Sequence, residues 1–188
     1  YSVAPLHYPC QQRDALRSVR MVRKDAEKYH VDPAKIAVCG FSAGGHLCAM
    51  LATLTGEKVI SDYLGEKAKL CKPDAVILSY PVINSGEYAH QGSFDNLTGK
   101  DKQLREFLSL ENRVDKNSVP AFIWSTNEDD CVPCESSLFM ALAYRKAGVP
   151  MELHIFETGY HGISLSNKEV NTPFPANECW LDMAITWL

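Results

Sequence analysis

The chain has little that would attract a polyanion. Its 19 Lys and Arg are outnumbered by 23 Asp and Glu, for a net charge of −4, and no basic block interrupts the mixture. Nucleic acid and anionic membrane are therefore poor partners for it. No apolar run approaches the roughly 20 residues of a membrane span. The start at Tyr1 has neither the basic n-region nor the apolar h-region of a secretory signal. With no signal visible, the expected location is the cytoplasm; with no initiator Met, a start partway along a longer polypeptide is also expected. Internal repeats and low-complexity tracts are absent too, which excludes solenoids and linker-like chains. A disulfide framework is equally unsupported. The seven cysteines are odd in number, and contexts such as Ala-Val-Cys39 and Leu-Cys48-Ala suit buried free thiols in a reducing compartment. Cys131 and Cys134 have the spacing of a redox motif or a zinc half-site. No second Cys or His pair stands near them in sequence, so two ordinary loop cysteines and no metal are expected.

What is present is a globular composition. At 188 residues, 46% hydrophobic and 22% charged, the chain is long enough for one domain with a single core. Apolar residues at Ala15, Leu16, Val19, Val22 and Ala26 recur at helical spacing within residues 10–29, with Arg13, Arg17, Arg20, Arg23 and Lys24 turned outward. Pro33 ends that helix. Residues 75–80 and 121–125 are near-continuous apolar runs, as in strands buried on both faces; residues 151–156 alternate, as in a strand near a sheet edge. Helices are expected over 136–147, stopped by Gly148, and over 176–188. Residues 56–72 are polar and read as a surface connection with one short helical turn. Residues 84–118 carry weak periodicity, with one short helix over 102–110, and are expected to form a cap or substrate loop inserted in an otherwise regular alternation. The alternation itself predicts an α/β fold: a doubly wound, mostly parallel sheet with helices on both faces.

The chemistry concentrates at Lys35 to Thr53. A short apolar strand runs into Gly40-Phe41-Ser42-Ala43-Gly44 and then into small helix-forming residues. Gly40 and Gly44 flank Ser42 where the chain must reverse, and the turn presents the hydroxyl above the sheet edge. The N–H of Ala43, at the start of the following helix, points where negative charge develops in acyl transfer. Ligands of parallel sheets collect at the carboxyl ends of strands. Three further acids, Glu128, Asp129 and Asp130, stand at one such end, and His161 stands in a Gly-Tyr-His-Gly turn at another. The order Ser, Asp, His is the one in which an elbow is completed by later loops: His161 would take the Ser42 proton, and one of the three acids would orient the imidazole. Local sequence does not choose among them. His46, a turn into the elbow helix, reads as a structural neighbour, as do His30 and His154; His7 and His90 sit in no motif.

Several motifs together carry a resemblance. Gly40 to Leu47, the run Leu78-Ser79-Tyr80-Pro81-Val82-Ile83, Phe122 to Pro133, and Glu152 to Phe156 with Gly159-Tyr160-His161-Gly162 resemble the α/β-hydrolase superfamily, and within it the small bacterial carbohydrate acetyl esterases of acetyl-xylan-esterase and carboxylesterase type. The family's Asp-x-x-Val-Pro pattern falls on Asp129 and Val132-Pro133, which favours Asp129 as the acid. The resemblance implies a serine hydrolase that removes short acyl groups, typically acetyl, through an acyl-enzyme, with no cofactor. The chain departs from the family in one respect. The family's third strand ends in a His-Gly-Gly loop that supplies part of the oxyanion hole, and no Gly-Gly pair precedes Gly44-Gly45. Tyr1-Ser2-Val3 resembles the end of the fourth strand. The expectation is that this chain is the C-terminal two-thirds of a longer polypeptide, associated with an N-terminal segment that supplies strands and oxyanion donors. Self-association is a further partner expectation. A peptidase or lipase on the same scaffold, and a non-catalytic binding module, are the alternatives; the absence of a long apolar lid speaks against lipids.

Overall fold

A computed structural model describes residues 6–170 and 173–188. The strand tail read at Tyr1-Ser2-Val3 lies outside the described residues. Four parallel strands, β1 (Ala37–Phe41), β2 (Ala75–Ser79), β3 (Ala121–Thr126) and β4 (Met151–Phe156), form one sheet in the order β1-β2-β3-β4. Consecutive parallel neighbours require crossovers, and helices supply them. The helices in chain order are α1 (Cys10–Lys24), α2 (Ala26–Tyr29), α3 (Ala43–Thr53), α4 (Lys58–Leu64), α5 (Ala68–Cys71), α6 (Gln91–Thr98), α7 (Lys102–Phe107), α8 (Glu135–Ala147) and α9 (Trp180–Trp187).

The side-chain alternation of the strands divides the core. Val76, Leu78, Ala121 and Ile123 pack with Ala49, Met50, Met140 and Tyr144 under α3 and α8. The intervening Ile77, Phe122 and Trp124 pack on the opposite face with Trp180 and Ala184 of α9. Both faces of β2 and β3 are thus buried, which is why each reads as an unbroken apolar run. Trp124 and Trp180 lie stacked with ring centroids 4.9 Å apart; such pairs contribute about 1 kcal/mol beyond the area they bury. β4 lies at one edge, with Met151 and Leu153 toward the first layer and Phe156 toward the second. Among the described residues β1 pairs only with β2, so it forms the other edge.

Three expectations are corrected. The connection over 56–72 is largely helical: Ile60, Leu64 and Cys71 recur at helical spacing and are buried against Leu16 and Val19 of α1, a stripe hidden by the polar residues between them. Residues 84–118 hold two short helices, α6 and α7, and a 3₁₀ turn at Leu110–Arg113, rather than one helix. His90 caps α6 by accepting from the Ser93 N–H, and Asp101 caps α7 by accepting from two N–H groups, a local signal that composition obscured. Buried Phe94, Leu97, Leu108 and Leu110 tie this segment to the core. Finally, Cys39 is exposed while Cys48 and Cys71 are buried. Cys39 shares the α9 face with Phe41 but sits on an edge strand, beyond the reach of that layer.

Candidate active site

The turn from β1 into α3 is set by close approach. A Cβ on Gly40 would lie 2.2 Å from the Gly44 carbonyl oxygen and 2.6 Å from Cys48 Sγ, and one on Gly45 would lie 2.7 Å from Pro81 Cβ. Gly44 meets no such crowding, so the sequence reading that paired Gly40 with Gly44 is corrected: the second close contact belongs to Gly45, packed on the loop after β2. Between them Ser42 adopts φ 55° and ψ −120°, a region costly for a residue with a Cβ. Its N–H donates to the Ser79 carbonyl at 3.0 Å, and its carbonyl accepts from the Val82 N–H at 3.1 Å. The strain is held by the ends of two strands, and the hydroxyl is lifted clear of the sheet.

The loops after β3 and β4 converge on that hydroxyl. His161 Nε2 is 2.7 Å from Ser42 Oγ, and His161 Nδ1 is 2.7 Å from Asp129 Oδ2. A carboxylate only accepts, so Nδ1 carries the proton and Nε2 is left to accept from the serine. Asp129 is 4% exposed, while Glu128 and Asp130 are exposed. The other Asp129 oxygen, Oδ1, accepts from the Cys131 and Val132 N–H groups at 3.0 and 2.8 Å. The Tyr80 ring, at the end of β2, meets the His161 ring edge-on at 5.1 Å, and its hydroxyl accepts from the Ser164 N–H at 3.1 Å. Burial raises the Tyr80 pKa above that of an ordinary phenol. Sequence reading did not single out Tyr80; its place directly after an apolar strand was the available signal.

Glu128 has a different task from its neighbour. Its carboxylate accepts from the Gly159 N–H at 3.0 Å, and the Thr126 hydroxyl donates to the Gly159 carbonyl at 2.7 Å. The acid loop thereby grips the histidine loop two residues before His161. Glu128→Ala is expected to lower kcat on p-nitrophenyl acetate by about 10² with KM nearly constant, the scale of a small misplacement of a reacting group. Glu128→Gln keeps an acceptor and should recover most of that loss; equal rates for the alanine variant and the wild type would remove the positioning role.

His46 lies in the core beside the elbow. Its Nε2 donates to the Leu108 carbonyl at 2.9 Å, and its ring meets Phe94 edge-on at 5.5 Å. Burial lowers its pKa to about 4. The folded-state value lies below the unfolded one of about 6.5, so on acidification the unfolded chain takes the proton first. Stability should be level above pH 6.5 and fall by about 3 kcal/mol as the pH drops toward 4, on the scale of 1.36 kcal/mol per pKa unit. Urea midpoints of wild type and His46→Gln measured from pH 7 to 4.5 check this; parallel profiles would reject it.

Cys131 and Cys134 are free, and both thiols are held above their usual pKa, chiefly by burial. Among the described residues no group of three or more His, Cys, Asp and Glu side chains is arranged to hold a metal ion, and no helix is long and apolar enough to cross a membrane. His30, His7 and His90 stand outside the Ser42 cluster. His154 pairs with Glu152 at 2.7 Å on β4.

Comparison with known proteins accords with this geometry. The chain is 42% identical over 168 residues to endo-1,4-beta-xylanase B of Butyrivibrio fibrisolvens, covering 88% of this chain and 26% of that protein. It is 33% identical over 156 residues to the acetylxylan esterase of Xylanibacter ruminicola, covering 79% of this chain and 30% of that protein. The chain therefore spans under a third of the length of these two relatives. Among solved structures, an acetyl ester-xyloside bifunctional hydrolase from Caldicellulosiruptor lactoaceticus superposes with a TM-score of 0.83 at 38% identity, over 98% of this chain and 66% of that one. These likenesses identify the architecture as that of the α/β-hydrolase esterases, and the BD-FAE family model matches residues 2–144, three-quarters of the sequence: the chain belongs to the BD-FAE family.

Proposed function

We propose that the protein is a serine hydrolase that removes short acyl groups, acetyl above all, from carbohydrate esters. The observation that carries this reading is the continuous path from Asp129 Oδ2 through His161 to Ser42 Oγ, with both hydrogen bonds at 2.7 Å. In the mechanism, His161 Nε2 accepts the Ser42 proton as Oγ attacks the ester carbonyl carbon. The imidazolium that forms is stabilised by Asp129, whose charge the Cys131 and Val132 N–H groups hold in place. The oxyanion develops at the N-terminus of α3, where the Ala43 N–H serves as a donor. His161 then gives its proton to the departing alcohol, leaving an acyl ester on Ser42. A water deprotonated by His161 hydrolyses that ester and returns the free serine. No cofactor enters this sequence of steps.

The carbohydrate part of the reading is supported by the printed activities of the relatives, an acetylxylan esterase and an acetyl ester-xyloside hydrolase. The residues over 84–118 act in it as a cap beside the nucleophile, contributing Phe94 and Leu97 to a cavity that reaches Ala43. A fluorophosphonate probe is the test: it should label the wild-type protein at Ser42 and leave Ser42→Ala unlabelled. Absence of labelling in active-site-competent, folded wild type would return the protein to a non-catalytic binding role.

A further inference from the structure

A cavity of about 90 Å³ lies between α3 and α6. Ala43, the residue after the nucleophile, forms one end of it, and Val82, whose N–H holds the Ser42 carbonyl, forms another wall. His46 and Met50 continue from Ala43 along α3 at three and seven positions, on one face of the helix, with Phe94 and Leu97 of α6 opposite. The wall is hydrocarbon apart from a few groups. The buried His46 ring presents no charge there, since its Nε2 proton is already given to the Leu108 carbonyl. An apolar recess beginning one residue from an attacking oxygen has an evident occupant in an ester: the chain attached to the carbonyl under attack.

We propose that this cavity is the acyl pocket, and that Met50, Phe94 and Leu97 set the longest acyl chain the enzyme accepts. The assignment rests on the serine-hydrolase reading above and adds the residues that select the substrate. Size decides the limit. An apolar cavity of roughly 150 Å³ accommodates a benzene ring, and a water occupies roughly 30 Å³ of liquid. About 90 Å³ therefore takes about three carbons beyond the carbonyl, which admits acetyl to butyryl and refuses longer chains. Within that range each methylene seated should raise kcat/KM by about fourfold, the factor equivalent to burying one CH₂ group.

The test is the chain-length profile of the full chain on p-nitrophenyl acetate, butyrate, hexanoate and octanoate. The wild type should favour acetate or butyrate over octanoate by at least about tenfold in kcat/KM, several methylenes' worth of lost burial. Leu97→Ala and Met50→Ala lengthen the pocket from two different helices and should each raise the hexanoate-to-butyrate ratio by about tenfold; Leu97→Trp should shift preference the opposite way, toward acetate. Should one alanine variant fail to fold, the other and the wild-type profile carry the same comparison. A wild-type profile flat to octanoate, or ratios unchanged in folded variants that still hydrolyse acetate, overturns the pocket alone. No turnover of any ester together with no fluorophosphonate labelling of Ser42 overturns the hydrolase reading and the pocket with it.

Discussion

Ser42→Ala is expected to lose on the order of 10⁶ in kcat on p-nitrophenyl acetate, with KM of the residual activity little altered, as when one member of a nucleophile–base unit is removed. The physical reason is that no other group near the site can form the acyl intermediate. His161 has its Nδ1 committed to Asp129, and the nearest other hydroxyl named here, that of Tyr80, is buried, accepts from Ser164 and is held above its usual pKa. The fold should survive, because the Ser42 backbone is fixed by main-chain bonds to Ser79 and Val82 that alanine keeps. His161→Ala should cost a similar factor, and the double variant little more than either single one, since a nucleophile without its base and a base without its nucleophile are equally idle. Wild-type turnover by Ser42→Ala would remove Ser42 from the mechanism.

Asp129→Asn should lower kcat by about 10⁴ while leaving the loop in place. Here the geometry dictates which way the new amide turns. Two N–H donors, from Cys131 and Val132, already point at Oδ1, so the asparagine oxygen must occupy that position. Its NH₂ group then faces His161 Nδ1 and donates to it. The imidazole responds by carrying its proton on Nε2, where it meets the Ser42 hydroxyl as a donor and can no longer accept. The variant would be well folded and in the wrong tautomer. Asp129→Ala would instead leave the two N–H groups without their acceptor, at about 1 to 3 kcal/mol each in stability, so thermal denaturation separates the two variants where activity does not. Asp130→Asn, on an exposed neighbour, should change kcat by no more than about twofold, in keeping with surface substitutions generally. A large loss at Asp130 with a small one at Asp129 would reverse the assignment.

Much of the fold was legible in the linear pattern, and for a physical reason. β2 and β3 are buried on both faces, so each had to be apolar at every position; β4 lies at an edge, so its alternation survived. The Gly40 to Gly45 run announced a tight reversal because few other residues tolerate one. Where burial was carried by single residues at long intervals, as with Ile60, Leu64 and Cys71, the polar residues between them masked the helix. The same masking hid α6, whose N-terminus is capped by the unexpected His90.

What the sequence by itself determined, then, is the set of strands, the turn at Ser42 and the shortlist of partners at strand ends. Only tertiary structure decided which of three adjacent acids turns inward, that Glu128 grips Gly159, that Gly45 rather than Gly44 bears the close packing, and that α3 and α6 leave an apolar recess beside Ala43. Local patterns arise from local sterics and from which face of an element is wet, and both are written along the chain. Ser42 and His161 are 119 positions apart, and His161 and Asp129 are 32 apart; distances such as theirs exist only once the sheet has brought the strand ends together.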